Sequence, residues 1–534
     1  MRGTMMDVPL TLHALVERVE RELSDVAVVS RQADKTVTRT TYGAVAARAR
    51  QLAQGLVAAG LKPGDRVATL MWNHAQHLEA YFGVPLSGGV IHTLNLRLHP
   101  DDIVFVARDA GDRFLIVDES LLPLFEKFRA QVPFEKVFVA QATRPLEAPL
   151  LDYDALLTSG TPGPLPTVGE NDALGMCYSS GTVGRPKGVV YTHRSTVLHS
   201  LVSALPDSLG LSRRDTVLIV VPMFHVNAWG LPYTAALVGA KQVHPGPHLD
   251  AASLLDLMES EKVTVAAGVP TIWIGIREAL EQNPGRWKLQ PDTRMIVGGS
   301  AAPEELIRSF DRLGLRLLHA WGMTETSPIG TVSRLPPRYD GLSDDERYAE
   351  RAKQGAAVPL VELRVRAEAG NVPADGKTPG EIQVRGPWIA ASYHNGVEKD
   401  RWTDDGFFRT GDVGTLDADG FVQLTDRVSD LIKSGGEWIS SVLVENALMG
   451  HPAVKEAAVI AVPHPKWSER PLAAVLLKPG MEKPTPEALR AFLAPRFAKF
   501  WLPDAFVFVD AIPRTSTGKF KKSELRAQFK DWTW

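Results

Sequence analysis

Along the first half of the chain the apolar positions keep switching between a helical period and a strand period. From Tyr42 to Ala59, Leu52, Leu56 and Ala59 recur at helical spacing and Gly60 follows as a stop, which predicts a helix. Lys62-Pro63-Gly64-Asp65 reads as a turn and Arg66 to Met71 as a strand. The unit returns at Asp101 to Ala110 with Phe114 to Asp118, and at Ala251 to Glu261 with Val263 to Gly268. Such alternation predicts α/β layers on mostly parallel sheets. No fixed-period repeat is visible. Gly160 to Gly169, rich in Gly, Pro and Thr, reads as a linker inside a large unit. Near residue 370 the segments shorten, and Gly380 to Gly386 has the pattern of an antiparallel strand and turn.

From about Arg427 a smaller unit can be drawn. It has a helix at Ser441 to Met449, strands at Val454 to Val462 and Ala473 to Leu477, a helix at Pro486 to Ala498 and a strand at Phe506 to Val509. A break near Ser429 divides the chain into 1–428 and 429–534, and the second piece is long enough for a domain of its own.

Composition narrows the classes. At 534 residues the chain has room for three to four units of roughly 150 residues. A net charge of −3 lacks the basic excess of a nucleic-acid binder. One cysteine, Cys177, rules out an internal disulfide framework and a thiolate metal cluster. The longest apolar run, Val217 to Phe224, contains Pro222 and falls well short of the roughly 18 residues of a membrane span. Met1 to Leu10 carries Arg2 and Asp7 without an apolar core, so no signal peptide is expected and the cytosol is the expected compartment.

Five short segments carry candidate chemistry. Tyr178-Ser179-Ser180-Gly181-Thr182-Val183-Gly184-Arg185-Pro186-Lys187-Gly188 runs from an apolar strand, Leu174 to Tyr178, through small and hydroxyl residues into a second strand, Val189 to Tyr191. Glycines let backbone N–H groups approach an anion, hydroxyls add donors and Lys187 adds positive charge. The spacing is not that of the kinase and GTPase phosphate loop. Trp321-Gly322-Met323-Thr324-Glu325-Thr326 offers a carboxylate for a hard cation and a hydroxyl for phosphate. Thr410-Gly411-Asp412 offers a carboxylate for a ribose diol. Asp426-Arg427-Val428-Ser429-Asp430 with Lys433-Ser434-Gly435-Gly436-Glu437-Trp438 is a charged turn, and Pro513 to Lys519 ends in a lysine able to reach into a cleft. Taken singly, each also reads as an ordinary turn or solvated surface. His244 and His248 are separated by prolines that forbid a helical metal site, and Cys177 reads as an inert buried thiol.

In this order the five segments resemble the adenylate-forming superfamily of acyl-CoA synthetases, nonribosomal adenylation domains and firefly luciferase, over nearly the whole chain. Pro222 to Gly230, Gly298-Gly299-Ser300-Ala301-Ala302-Pro303 and Lys433 to Ser440 look like the bacterial medium- and long-chain fatty acyl-CoA synthetases. Methylmercaptopropionate-CoA ligases share the same segments. The resemblance implies an α/β fold: a large N-terminal domain of layered sheets with a β-barrel-like subdomain, and a small mobile α+β C-terminal domain. It implies that a carboxylate attacks the α-phosphate of ATP to give acyl-AMP and pyrophosphate, and that the CoA thiol then displaces AMP.

Carried over by position, Ser179, Ser180, Gly181, Thr182, Gly184 and Lys187 would hold the β- and γ-phosphates, and Ser179 and Glu325 would help place Mg²⁺. Val226, Gly299, Ser300, Ala301, His319, Ala320, Trp321 and Gly322 would line the nucleotide, with Thr324 on phosphate and Asp412 and Arg427 on the ribose. His225, Trp229, Gly298 and Gly322 would line the acyl group, Trp229 as a gate. Ser429, Lys433 and Trp438 belong to the closing lobe, and Gly435, Gly436 and Glu437 would meet the pantetheine arm. Lys519 would act in the first step with Glu325, Thr324 and His225, the histidine as a steric and polar element rather than a base. Val183 stands where a second threonine is usual, and Ser429 where an Asp or Lys is usual. The implied partners are a small carboxylic acid, ATP and CoA. Peripheral membrane contact stays open, and a homodimer is the expectation by analogy. Competing readings are loading of a carrier protein, oxidation of acyl-AMP and plain nucleotide binding.

Overall fold

The structure, a computed structural model, describes residues 3–179, 185–368, 370–427, 430–434, 437–515 and 519–534, with the backbone alone at Glu437 and Trp438. Its strands form three sheets among these residues. Two belong to the large N-terminal domain and one to the small C-terminal domain, and the class is α/β as the alternating pattern predicted.

The helix Tyr42–Ala58 shows why the layers form. The Thr41 hydroxyl accepts from the Ala44 N–H and starts it, Val45, Ala49, Leu52 and Leu56 repeat along one buried face, and the chain leaves it at Gly60. It covers a sheet whose strands follow the order Leu150–Asp152, Lys136–Ala140, Asp112–Asp118, Arg66–Leu70, Val90–Thr93, Ala173–Tyr178 and Gly188–Thr192. All neighbours are parallel except the last pair, which is antiparallel and brings the two ends of the glycine-rich segment together.

The second sheet has a parallel half, Lys241–His244, Thr216–Ile219, Val265–Gly268, Arg294–Val297 and Arg316–Gly322, with Ala27–Arg31 parallel beside Lys241–His244. It continues as an antiparallel arm from Ile329–Val332 through Phe421–Arg427 and Phe408–Leu416 to Gly380–Arg385 and Glu362–Ala367. This arm is the region where the segments shorten in sequence. Several of its strands, such as Glu362–Ala367, lie partly open to water, whereas Thr216–Ile219, Val265–Gly268 and Arg294–Val297 in the parallel half are buried beyond their first residues, as expected where helices cover both faces.

The third sheet holds Ile432–Ser434, Glu437–Ile439, Ser468–Leu477, Val454–His464 and Ala505–Phe508. Two elements differ from expectation. The strands drawn as Val454 to Val462 and Ala473 to Leu477 extend into one long hairpin that closes at His464 opposite Ser468. The helix expected over Pro486 to Ala498 ends at Leu493, because Pro495 has no N–H to continue the ladder of hydrogen bonds. No helix among the described residues is long and apolar enough to cross a membrane.

Candidate active site

The parallel strands of the second sheet deliver their C-terminal ends to one crevice, the position where α/β sheets bind ligands. Arg294–Val297 runs directly into Gly298 and Gly299, and Arg316–Gly322 runs into the short turn Thr324–Thr326. Gly322 has to be glycine, since a Cβ there would lie 1.7 Å from the Pro328 carbonyl oxygen. That close approach folds the segment back, and Thr324, Glu325 and Thr326 are all buried. The Tyr393 hydroxyl donates to Glu325 Oε1 at 2.5 Å, and the Tyr191 hydroxyl donates to the Thr324 carbonyl at 2.9 Å.

On the antiparallel arm, strand register pairs Asp412 directly with Arg427. Their side chains approach to 3.3 Å, and the Trp321 indole N–H donates to the other Asp412 oxygen at 2.9 Å. From the first sheet come Ser179 and Lys187. The Ser179 N–H donates to the Lys187 carbonyl, and the Lys187 N–H donates to Ser179 Oγ. These groups, with His225, Val226, Trp229, Gly298, Ala320 and Lys519, line one cavity of ≈ 380 Å³. A neighbouring cavity of ≈ 170 Å³ shares Gly299, Trp321, Asp412, Arg427 and Lys519 with it and adds Ser300, Ala301 and His319.

The stretch after His225 is strained. Val226, Asn227, Ala228 and Trp229 have φ of 46°, 51°, 50° and 58°, and Gly230 follows at 71°. Left-handed backbone costs a non-glycine residue roughly 1–2 kcal/mol. Burial of Val226, Asn227 and Ala228 holds the turn, as do bonds from the Ala228 N–H to the His225 carbonyl and the Gly230 N–H to the Asn227 carbonyl. The turn lays the Trp229 ring over Gly298, where a Cβ would meet that ring at 3.1 Å. Strain of this kind persists where the surroundings over-determine it, as at ligand clamps.

Residues 15–394 match the AMP-binding enzyme family, and residues 443–519 match the AMP-binding enzyme C-terminal domain. The chain belongs to the AMP-binding enzyme family. It is 51% identical to the long-chain-fatty-acid–CoA ligase of Thermus thermophilus over 99% of this chain and 97% of that protein. It is 44% identical to the medium-chain-fatty-acid–CoA ligase of Ectopseudomonas oleovorans and to the 3-methylmercaptopropionyl-CoA ligase of Ruegeria lacuscaerulensis. Each match covers 99% of this chain, with 98% and 99% of those proteins. The solved anthranilate CoA ligase AuaEII in complex with anthranoyl-AMP superposes with a TM-score of 0.86 at 25% identity, covering 99% of both chains.

Within this member of the family, burial sets the electrostatics. The Lys519 ammonium is pushed down to about 8, first by desolvation and then by the Arg427 charge, while Asp412 and Glu325 pull it up. Among the described residues its Nζ has no ion-pair partner. His225 is pushed down to about 3 by desolvation, with the Lys519 and Arg97 charges adding to it, so it is neutral near pH 7. His319 is pushed down to about 4 by burial; its Nδ1 meets the Ala352 carbonyl at 3.1 Å, and its buried Nε2 has no hydrogen-bond partner among the described residues. Cys177 is buried with its thiol pushed up by desolvation, the inert state expected of it.

Some expected residues lie elsewhere. Lys433 is exposed on the small domain, outside both cavities, and its backbone N–H donates to Glu469. Ser180, Gly181, Thr182, Val183, Gly184, Ser429, Gly435 and Gly436, and the side chains of Glu437 and Trp438, lie outside the described residues. Sequence reasoning missed Tyr393, Glu398, Arg401 and Met323, which line the main cavity. Tyr393 and Glu398 sit in irregular segments with no periodic pattern to single them out.

Proposed function

We propose that this protein is an AMP-forming acid–thiol ligase that uses ATP to activate a medium- or long-chain fatty acid and passes the acyl group to CoA. The observation that carries the reading is Lys519. A C-terminal lysine reaches a cavity of the N-terminal domain that also holds Glu325, Thr324, Asp412 and Arg427. A plain nucleotide binder needs no such lysine at a reacting centre.

In this reading the Ser179 to Lys187 segment, including Ser180, Gly181, Thr182 and Gly184, grips the β- and γ-phosphates. Asp412 and Arg427 hold the ribose. Gly299, Ser300, Ala301, His319, Ala320 and Trp321 frame the base and the α-phosphate, and the unsatisfied His319 Nε2 is a ready hydrogen-bond group for them. The acid lies along His225, Trp229, Gly298 and Gly322. Its carboxylate is already ionised near neutral pH, so no base is required. An oxygen of the acid attacks the α-phosphorus, the bond to the bridging oxygen breaks, and pyrophosphate leaves. Lys519 and Thr324 offset the negative charge that builds there; one donor of this kind is typically worth about 10²–10³ in rate.

A Mg²⁺ ion fits the donors present. Glu325 gives one carboxylate, fixed through one oxygen by Tyr393, and Ser179 gives a hydroxyl. Among the described residues no group of three ligating side chains forms a closed cage, and Mg²⁺ bound by one or two protein oxygens plus substrate phosphates needs none. When bound it supplies charge neutralisation.

For the second step the unit 429–534 reorients against 1–428 about Ser429. That withdraws Lys519 and turns Gly435, Gly436 and Glu437 toward the pantetheine arm, with Lys433 and Trp438 on the closing face. The CoA thiol then loses its proton to solvent, its sulfur bonds to the acyl carbon, and the bond from that carbon to the phosphate oxygen breaks to release AMP. The 3-methylmercaptopropionyl-CoA ligase relative supports a second reading in which the acid is a short thioether acid. An apolar pocket discriminates only about 1–3 kcal/mol per methylene, so neighbouring chain lengths overlap. A cytosolic homodimer completes the proposal, and sedimentation of the purified chain tests the pairing.

The deciding experiment measures AMP release from ATP and Mg²⁺, with and without CoA, from propionate and methylthiopropionate through octanoate to palmitate. CoA-dependent release with an optimum at eight carbons or more supports the ligase as stated. An optimum at methylthiopropionate selects the second reading, and release indifferent to CoA points to a carrier-protein acceptor or to oxidation of acyl-AMP. Lys519→Ala is expected to abolish acyl-AMP formation yet spare thioester formation from pre-made acyl-AMP, and equal loss of both refutes its role.

A further inference from the structure

Lys187 does not face the cavity as an isolated cation. Its Nζ lies 2.7 Å from Glu398 Oε1 and 5.7 Å from the centre of the Tyr393 ring. Glu398 lines the same cavity as Ser179, Thr324 and Glu325. It reaches that place at a conformational cost, because its φ is +49°, left-handed for a residue with a Cβ. The Lys187 side chain is 16% exposed and that of Glu398 39%, so the cation is largely withdrawn from water while its anion borders it.

We infer that Glu398 is a positioning and specificity residue that competes with phosphate for Lys187. The inference rests on the reading of Lys187 as a β,γ-phosphate ligand. The ammonium has three donors, but a carboxylate and a phosphate brought to it together repel each other, so bound triphosphate displaces Glu398 from Lys187. As pyrophosphate departs, Glu398 recaptures the lysine. In the empty site the carboxylate holds Lys187 in place, and it raises the threshold an anion has to pass. The effect is confined to ligands that carry a β-phosphate, namely ATP and pyrophosphate. AMP, which reaches only the Asp412 and Arg427 side, is indifferent to it.

The test compares the full-length protein with Glu398→Gln, which keeps the shape and removes the charge, and with Glu398→Ala as a second release of the lysine. Dissociation constants for ATP, inorganic pyrophosphate and AMP are read by calorimetry without acid, and pyrophosphate product inhibition is read in the adenylation assay. Both variants are expected to bind ATP and pyrophosphate about 2- to 5-fold more tightly, the scale of a partly exposed ion pair, with AMP unchanged. Pyrophosphate inhibition strengthens by the same factor. In a Lys187→Met background, which itself weakens ATP and pyrophosphate, adding Glu398→Gln has no further effect. Unchanged or weaker ATP binding in both Glu398 variants overturns the competition. If Lys187→Met leaves ATP and pyrophosphate binding untouched, the phosphate assignment of Lys187 fails instead.

Discussion

Lys519 carries a pH signature whose sign follows from its surroundings. Burial and Arg427 push its ammonium down to about 8, against the pull of Asp412 and Glu325. Offsetting negative charge requires the protonated form, so acyl-AMP formation loses rate as pH rises through about 8. With a single titrating proton, about half of the lysine is charged at pH 8 and about a tenth at pH 9. The kcat/KM for ATP reports the free enzyme, so it falls about tenfold per pH unit on the alkaline side. ATP–pyrophosphate exchange between pH 6 and pH 10, run without CoA to keep thiol ionisation out, reads this limb directly.

Variants fix the assignment. Asp412→Asn removes a carboxylate that raises the lysine and moves the limb to lower pH; Arg427→Gln removes a cation that lowers it and moves the limb to higher pH. The two shifts are opposite in sign, as the opposite charges require. Both residues also serve the proposed ribose contact, so absolute rates fall and the position of the limb is the readout. Lys519→Arg, which does not titrate in this range, flattens the limb. A limb near pH 8 that survives in Lys519→Arg, or that moves the same way in both charge variants, refutes the reasoning.

Other perturbations have equally direct readouts. Tyr393→Phe removes the hydrogen bond that holds Glu325 Oε1, and a bond to a charged group is worth about 1.5–3 kcal/mol, so adenylation is expected to slow by about 10-fold or more with a raised KM for Mg²⁺. Gly298→Ala puts a methyl group 3.1 Å from the Trp229 ring and 3.2 Å from the Ala320 carbonyl. It narrows the acyl side, and the ratio of octanoate to palmitate turnover is expected to rise by roughly tenfold, the cost of one badly placed methyl. In the small domain Lys522 meets Glu445 at 2.7 Å in a buried pair, and burial pushes the Glu445 carboxyl up to about 7 despite the lysine. Lys522→Met strands that carboxylate, with an expected loss of about 3–5 kcal/mol in urea unfolding at pH 8. Without the lysine the Glu445 carboxyl is pushed further up and takes up a proton more readily, so the loss shrinks as pH falls, and Glu445→Gln added to Lys522→Met restores part of it at pH 8.

Segments whose periodicity or glycine chemistry is local were legible in the sequence. The helix Tyr42–Ala58 came out within one residue because its buried face and its end are written in consecutive turns. Asp412 and Arg427 were assigned from separate motifs, and strand register sets them opposite each other. Tyr393 and Glu398 were not legible, because what brings them to Glu325 and Lys187 is the docking of an irregular loop. The left-handed turn Val226–Trp229 was invisible for another reason. In Val-Asn-Ala-Trp only Asn227 readily takes positive φ, so the run of four is imposed by surrounding packing rather than by local propensity.

The charge balance of the cavity argues for the chemistry from a different side. Every lining carboxylate among the described residues is already engaged: Glu325 accepts from Tyr393, Asp412 from Trp321 beside Arg427, and Glu398 pairs with Lys187. His225 is too weak a base near pH 7, and burial pushes the Tyr393 phenol up, out of reach of ionisation. Near pH 7, where Lys519 is still mostly protonated, the cavity therefore lacks a free group among the described residues poised to deprotonate a neutral nucleophile. It suits a nucleophile that arrives as an anion, and a carboxylic acid does so at neutral pH. Water does not, so ATP is protected while the acid is absent. ATP hydrolysis without acid is accordingly expected to stay at background. A brisk acid-independent ATPase, lost in Glu325→Gln, would mean that Glu325 leaves Tyr393 to act as a base, and that the engagement of the carboxylates is not what guards the nucleotide.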